Sequence, residues 1–453
     1  VLFRSIGQME EKFADYGEVQ IKQLNDRSKM YYTPNKENNV FQLIVQYGAG
    51  EREFPKLGYA AQLMNNAGIM GAYEPQELKE ELSKLNATCH VTADEDNLYI
   101  IMEGYEATLP QACQLLSRQI LMPKLDEKQL ARLKGSAMGM RQQRKDNVSI
   151  LNEALRQYML YGEKSDYIKE LTDKEIYELQ ISELTGDINR ASNYEAKVFF
   201  TGTLPFDQVY DILSKNLPLV ANERPSNSPQ AKEMMPVTEN TVYFLPNNDA
   251  EQAQIHLYIP MQKADKKDDV LRSAFNQYFG LDFTGIVLNE IREKRSMAYT
   301  AYAFVGTQGI AGKASYLRGY IGTQNDKAND ALDVLMSLVN DMPKNPERIG
   351  NIKSYLRQAM LTSHPSFRNK AMELVDLGYR GYTDDPAKEN LPKVDALTFD
   401  DIVKFYEENI KGKPYCISIM GNPKDIDLKR LEKFGKVVKL NERKLFNTKD
   451  ALF

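Results

Sequence analysis

Apolar and polar positions alternate through residues 41–47, FQLIVQY, and the run breaks at GAG, the pattern of a strand that ends in a turn. Two helical stretches follow, at 58–71 (GYAAQLMNNAGIMG) and 75–86 (PQELKEELSKLN), and then two strands, at 88–97 (TCHVTADEDN) and 98–107 (LYIIMEGYEA). The same order recurs in the second half. A strand at 255–260 (IHLYIP) leads to helices at 269–280 (DVLRSAFNQYFG) and 284–295 (TGIVLNEIREKR), then to strands at 298–306 (AYTAYAFVG) and 316–324 (YLRGYIGTQ). Each half continues into an amphipathic helix. Its apolar positions are Leu109, Cys113, Leu116 and Ile120 in the first half and Ala331, Leu335 and Leu338 in the second.

The halves also finish alike, with a helix opened by a threonine cap (Thr172, Thr398), a polar loop, a strand ending in Gly202 or Gly421, and a last helix. This is a repeat of roughly 215 residues. Between the copies lies a stretch rich in Pro, Ser, Asn and charge, as expected of a linker between packed domains. The expected organisation is an N-terminal linker segment at 1–30, a first domain at 31–220, a linker at 221–240 and a second domain at 241–453. Strands separated by long helical runs, and partly joined as hairpins, predict an α+β fold. Each of its two homologous domains would be a mixed or antiparallel sheet covered by helices.

Composition narrows the function classes. Of the 453 residues, 42% are apolar and 27% charged, ordinary values for a globular protein. The net charge of -5 and the absence of a basic stripe argue against a nucleic-acid partner. Cys89, Cys113 and Cys416 are odd in number, widely spaced and lack a C-x-x-C pair, so they read as core thiols. No apolar run reaches the roughly 18 residues of a membrane helix, and the first residues lack a signal peptide's apolar stretch. The chain opens without Met and soon becomes a charged, helix-like piece, as expected if it was cut or processed from something longer. Its compartment is not legible.

Residues 288–304, LNEIREKRSMAYTAYAF, place Arg292 and Tyr299 seven positions apart across a helix-to-strand change. On spacing alone they read as a solvated arginine and a packing tyrosine. Helical spacing makes Val287 and Ile291 buried positions and sets Leu288, Arg292 and Arg295 on an adjacent stripe, so Arg292 emerges at the edge of the core. Tyr316, Arg318 and Tyr320 alternate to one side of a strand.

The order of elements, the duplication and above all NEIREKRSMAYTAYAF resemble the pitrilysin/insulinase metallopeptidases, the inverted zincins, which include the mitochondrial processing peptidase. The resemblance runs from about Thr33 to Leu440. It implies a peptidase built from four such domains as two halves around a chamber, one half carrying zinc and the other contributing an Arg and a Tyr. The family's H-x-x-E-H motif places two His a turn apart on one metal, with a Glu that activates water and a further Glu ligand downstream. Laid on this sequence, the first His falls on Ala61, the catalytic Glu on Met64, the second His on Asn65 and the distal Glu near Met140. None of these is a competent ligand. The only histidines, His90, His256 and His364, are never within helical reach of one another. His90 and His256 read as strand packing residues and His364 as a helix-terminal or loop residue.

The resemblance therefore implies a zinc-free, non-catalytic half, with no cofactor of its own and zinc in a partner catalytic half. That partner is either upstream in the same polypeptide or a separate subunit. Arg292 and Tyr299 then act on the peptide substrate's backbone and reacting carbonyl, and Tyr316, Arg318 and Tyr320 line the chamber. The chemistry suits a carbonyl gaining negative charge, since guanidinium is a fixed fork of donors and a neutral phenol a single strong one. The alternative is a proteolytically inert scaffold or peptide-binding subunit of the same fold.

Overall fold

The computed structural model describes residues 12–281 and 284–449. In the first half the strands are β1 (Gln20–Gln23), β2 (Lys29–Pro34), β3 (Val40–Tyr47), β4 (Gly68–Ile69), β5 (Thr88–Ala93), β6 (Leu98–Tyr105), β7 (Pro123–Lys124) and β8 (Ala196–Gly202). In the second they are β9 (Thr241–Pro246), β10 (Gln252–Lys263), β11 (Thr300–Thr307), β12 (Ala314–Gln324), β13 (Cys416–Gly421) and β14 (Lys436–Lys439). Apart from the short β4–β7 pair, they form two six-stranded sheets, ordered β1-β2-β8-β3-β6-β5 and β14-β9-β13-β10-β12-β11.

Five neighbouring strands of the two sheets agree in order and direction. β2 runs parallel to β8, as β9 does to β13, and the remaining neighbours out to the edges β5 and β11 are antiparallel. The fold is thus α+β and duplicated. The sixth strands differ, because β1 is antiparallel to β2 whereas β14 is parallel to β9. β1 corrects the expectation of a plain linker over 1–30: its latter part is a strand of the first sheet. The helix-like character expected of the first residues falls largely on 1–11, outside the described residues, and only a 3-10 turn, Tyr16–Glu18, follows it.

One face of each sheet is covered by helices of its own half. Phe41, Leu43, Val45 and Phe200 pack under the helices Leu57–Met64, Leu109–Leu121 and Ile181–Ala191. Ile255, Leu257, Leu317 and Ile321 pack under Asp269–Phe279, Ala328–Asn340 and Phe399–Asn409. The opposite faces are covered by exchange. The first half's helix Val148–Tyr161 lies on the second sheet through Leu151, Ala154 and Leu155, against Leu245 and Met420. The second half's helix Lys370–Tyr379 lies on the first sheet through Ala371, against Ile44 and Phe199. Burial on both faces explains why Leu43, Ile44 and Val45 are consecutive buried residues instead of an alternation.

Both threonine caps form: Thr172 Oγ1 accepts from Glu175 N at 3.1 Å and Thr398 Oγ1 from Asp401 N at 3.3 Å. The first opens only a short helix, Asp173–Tyr177, before the longer one begins at Ile181. The strand-ending glycines answer a shared packing need. A Cβ on Gly202 would collide with the carboxylate of Glu106, and one on Gly421 with the amide of Asn325. These two buried side chains follow β6 and β12 respectively and hold the next turn, Glu106 through Leu204 N at 3.0 Å and Asn325 through Asn422 N at 2.9 Å.

Candidate functional site

The positions aligned with the zinc motif have other duties. Ala61 and Met64 on the helix Leu57–Met64 are core residues, both buried. Asn65, just past the helix, accepts from Val91 N at 2.8 Å and donates to Val91 O at 2.9 Å and Ala61 O at 3.2 Å, so its amide is committed to the edge strand β5. Met140, on the helix Glu127–Gln142, is exposed. Two apolar side chains, a saturated amide and an exposed thioether do not fit a zinc ion, which takes imidazole, thiolate or carboxylate in a tetrahedral set. Among the described residues no group of three or more His, Cys, Asp or Glu is placed to hold a metal ion.

The histidines separate. His256 on β10 is buried, with Nε2 3.0 Å from Asn152 Oδ1. Burial, followed by the nearby Arg156 and Arg318 guanidinium groups, lowers its pKa to about 3 and keeps the imidazole neutral. His90 departs from the packing expectation: it lies in β5 but on its exposed side, because β5 is an edge strand. His364 is exposed just after the helix Ile349–Thr362. Cys113 and Cys416 are buried, Cys89 is half-buried, and all three are free thiols.

Arg292 and Tyr299 come together. The expected continuous α-helix at 284–295 is instead a short α-turn, Ile286–Leu288, running into a π-turn, Asn289–Glu293. Lys294 N reaches back five residues to Asn289 O at 2.9 Å. The wider turn buries Ile286, Val287, Leu288 and Ile291 together and leaves Arg292 outside. Leu288 is therefore core, unlike its place on the stripe read from the sequence. The chain then reverses through Ser296 at φ 50, and Tyr299 N bonds Gly322 O at 2.9 Å, which sets the phenol beside the end of β12. Arg292 and Tyr299 line one open cleft of about 520 Å³ with Gln324 and Lys327.

Both side chains are available for a ligand. Glu290 binds Lys294 at 2.6 Å and Arg295 at 2.5 Å, and these bonds hold its carboxyl below the usual range. Among the described residues Arg292 has only a loose approach, 3.7 Å, to the exposed Glu293. Tyr299 is 55% exposed, and its oxygen accepts from Gln324 Nε2 at 3.3 Å, so the phenolic proton remains free to be donated. Nothing in the sequence around Lys327 marks it as a cleft residue. The alternation of Tyr316, Arg318 and Tyr320 continues to Gln324, which was the available signal.

Tyr316, Arg318 and Tyr320 do share one face of β12. They oppose Pro260, Tyr258 and His256 of β10, and Gly306, Phe304 and Tyr302 of β11. Tyr302 and Tyr320 rings lie 5.3 Å apart, and the Arg318 guanidinium lies 5.7 Å from the Phe304 ring centre. This wall and the Arg292–Tyr299 cleft belong to the same β11–β12 hairpin but are not one pocket. Six residues of extended strand, about 20 Å, separate Arg318 from Gln324.

Residues 192–352 match the family model described as the peptidase M16 inactive domain. The fold is that of the M16 peptidases. The peptidase M16 inactive domain from Pseudomonas fluorescens is similar at a TM-score of 0.69 with 17% identity, over 90% of this chain and 99% of that one. The ferredoxin protease FusC, solved as a mutant in complex with Arabidopsis ferredoxin, is similar at 0.69 with 12% identity, over 89% of this chain and 45% of that one. The periplasmic protease PqqL from Escherichia coli is similar at 0.66 with 12% identity, over 93% and 48%. The chain thus spans about half the length of these two M16-fold proteases and nearly all of the inactive domain. No curated protein matches it. Among the described residues no helix is long and apolar enough to cross a membrane.

Proposed function

We propose that this chain is the non-catalytic half of an M16-type zinc metalloendopeptidase. It closes a substrate chamber against a zinc-bearing catalytic half, either joined to it or separate, and acts on peptides. Its folded units correspond to residues 31–220, extended at the N-terminal side by β1 and the start of β2, and 241–453. The observation that carries this reading is the Arg292–Tyr299 cleft, in which a loosely held guanidinium and a phenol with a free proton face one opening. Arg292 binds the backbone carbonyls of an extended peptide. Tyr299 donates to the scissile carbonyl oxygen as that atom gains negative charge, where a preorganised donor has most effect.

The position of the cleft supports the reading as well. The π-turn and the Ser296 reversal hold both residues at the rim of the second sheet instead of in its core. No zinc chemistry is assigned to Ala61, Met64, Asn65 or Met140. The test is peptidase activity of the complete enzyme, catalytic half included, with Tyr299→Phe in this chain. Loss of turnover with retained folding supports the proposal, whereas activity equal to the parent's favours an inert scaffold.

A further inference from the structure

Arg318 carries a charge that no ion pair among the described residues neutralises. Its side chain is half-buried on the second sheet, flanked by Tyr258 on β10 and Phe304 on β11, with Tyr316 and Tyr320 two positions away on its own strand. Among the described residues it has no hydrogen bond or ion pair, and its one close partner is the Phe304 ring. The neighbouring charge is a second cation, Arg156, brought onto this face by the exchanged helix Val148–Tyr161. The nearby carboxylate, Glu153, is already taken by Arg156, through Nε at 2.7 Å and through a second guanidinium nitrogen. Burial first, and then Arg156, lowers the Arg318 pKa below the ordinary guanidinium value.

A partly desolvated guanidinium beside another is unfavourable unless an anion arrives. Arg295 and Arg430, elsewhere in the second half, lack this property: Arg295 has Glu290, and Arg430 has Asp330 and Asp333. The surplus is local and opposite in sign to the chain's net charge of -5. The aromatic frame restricts what can approach. Tyr302, Phe304, Tyr316 and Tyr320 give a flat, half-exposed apolar floor, suited to an extended backbone and closed to a hydrated polyanion.

We propose that Arg318 and this aromatic frame form a carboxylate-binding subsite, so that the substrates are peptides carrying an acidic group there. The inference rests on the reading of this face as a chamber wall. The carboxylate comes from an Asp or Glu side chain or from the peptide's C-terminus. The separation of about 20 Å between Arg318 and Gln324 sets it about six extended residues from the carbonyl held at Tyr299.

The test is fluorescence anisotropy of labelled ten-residue peptides on the full chain. One arm carries an internal Glu and an amidated C-terminus, a second the same peptide with Gln, and a third the Gln peptide with a free C-terminal carboxylate. One acidic peptide is expected to bind about tenfold more tightly than the amidated Gln peptide, equivalent to about 1.4 kcal/mol. Which one does so identifies the source of the carboxylate. Arg318→Gln should reduce the ratio to within about twofold, and Arg318→Lys should restore part of it, since an ammonium keeps the charge without the fork. Circular dichroism melting should show Arg318→Gln at or above the parent Tm, because it removes an uncompensated charge. Equal affinity for all three peptides, or a preference that survives Arg318→Gln, overturns the subsite alone. No binding of any peptide at millimolar concentration overturns both the subsite and the chamber-wall reading.

Discussion

Asn65 grips both backbone groups of Val91, accepting from its N–H at 2.8 Å and donating to its carbonyl at 2.9 Å. Asn65 thus clamps the helix Leu57–Met64 to the edge strand β5. Replacing it leaves two strand groups unpaired beside a cavity of about 600 Å³ lined by Met64, Leu82 and Cys89. Asn65→Ala is therefore expected to cost about 2 kcal/mol, read as a lower urea midpoint with unchanged m-value. An unchanged midpoint would mean that the clamp contributes nothing.

The same commitment of Asn65, with Ala61 and Met64 in the core, leads to an expectation about metal. Dialysed protein should hold well under one equivalent of zinc by elemental analysis, and added zinc should not raise Tm, since a ligand binding the native state alone must do so. One firmly held equivalent, lost on replacing a histidine, would contradict the assignment of this half as non-catalytic.

Tyr299 and Arg292 should separate in kinetics of the complete enzyme. A donor acting mainly in the transition state affects turnover, so Tyr299→Phe is expected to lower kcat by about 10²-fold to 10³-fold with KM little changed. Arg292→Ala should also raise KM, because it removes binding shared by substrate and transition state. Both side chains are exposed, so Tm should stay within a degree or two of the parent. A kcat for Tyr299→Phe within about twofold of the parent would return the pair to a structural role.

His256 gives a pH dependence with a definite sign. Its folded pKa of about 3 lies below the ordinary value of 6.5, so the unfolded chain binds the proton first and stability falls as pH drops below 6.5. Between pH 6.5 and 5 the expected loss is about 1.6 kcal/mol, since the slope reaches its full value of about 1.36 kcal/mol per unit only once the unfolded imidazole is mostly protonated. Denaturant titrations at the two pH values, on the parent and on His256→Gln, measure it. A slope identical in the variant would assign the loss to other groups.

Much of this was legible in the chain itself. The alternation at 41–47 and 316–324, the threonine caps and the glycines at 202 and 421 are local signals, and local sterics and hydrogen bonding produced the elements they indicate. The duplication was readable because the same order of elements occurs twice. That Arg292 and Tyr299 line one cleft was not readable from their spacing, which does not separate a cleft-lining arginine from a solvated one.

Other features depend on residues far apart in sequence. That Arg292 is loosely held while Arg295 is engaged follows from a π-turn at 289–293, which α-helical periodicity does not anticipate. β1 pairs antiparallel with β2 from Gln20–Tyr32 to Gln23–Lys29, although its four exposed residues show no alternation that would mark a strand. His90 is exposed because β5 is an edge strand, and the position of a strand in a sheet is not encoded in its own alternation. The exchange of the helices Val148–Tyr161 and Lys370–Tyr379 is the largest such case, since each covers an apolar sheet face belonging to the other half. It also brings Arg156 beside Arg318, 162 positions along the chain, and Glu153 with it. The sequence determined which faces were apolar and where the charges stood along each strand. Only the tertiary structure decided which helix covered which face, because burial has no direction and the partner is set by how the two halves close on each other.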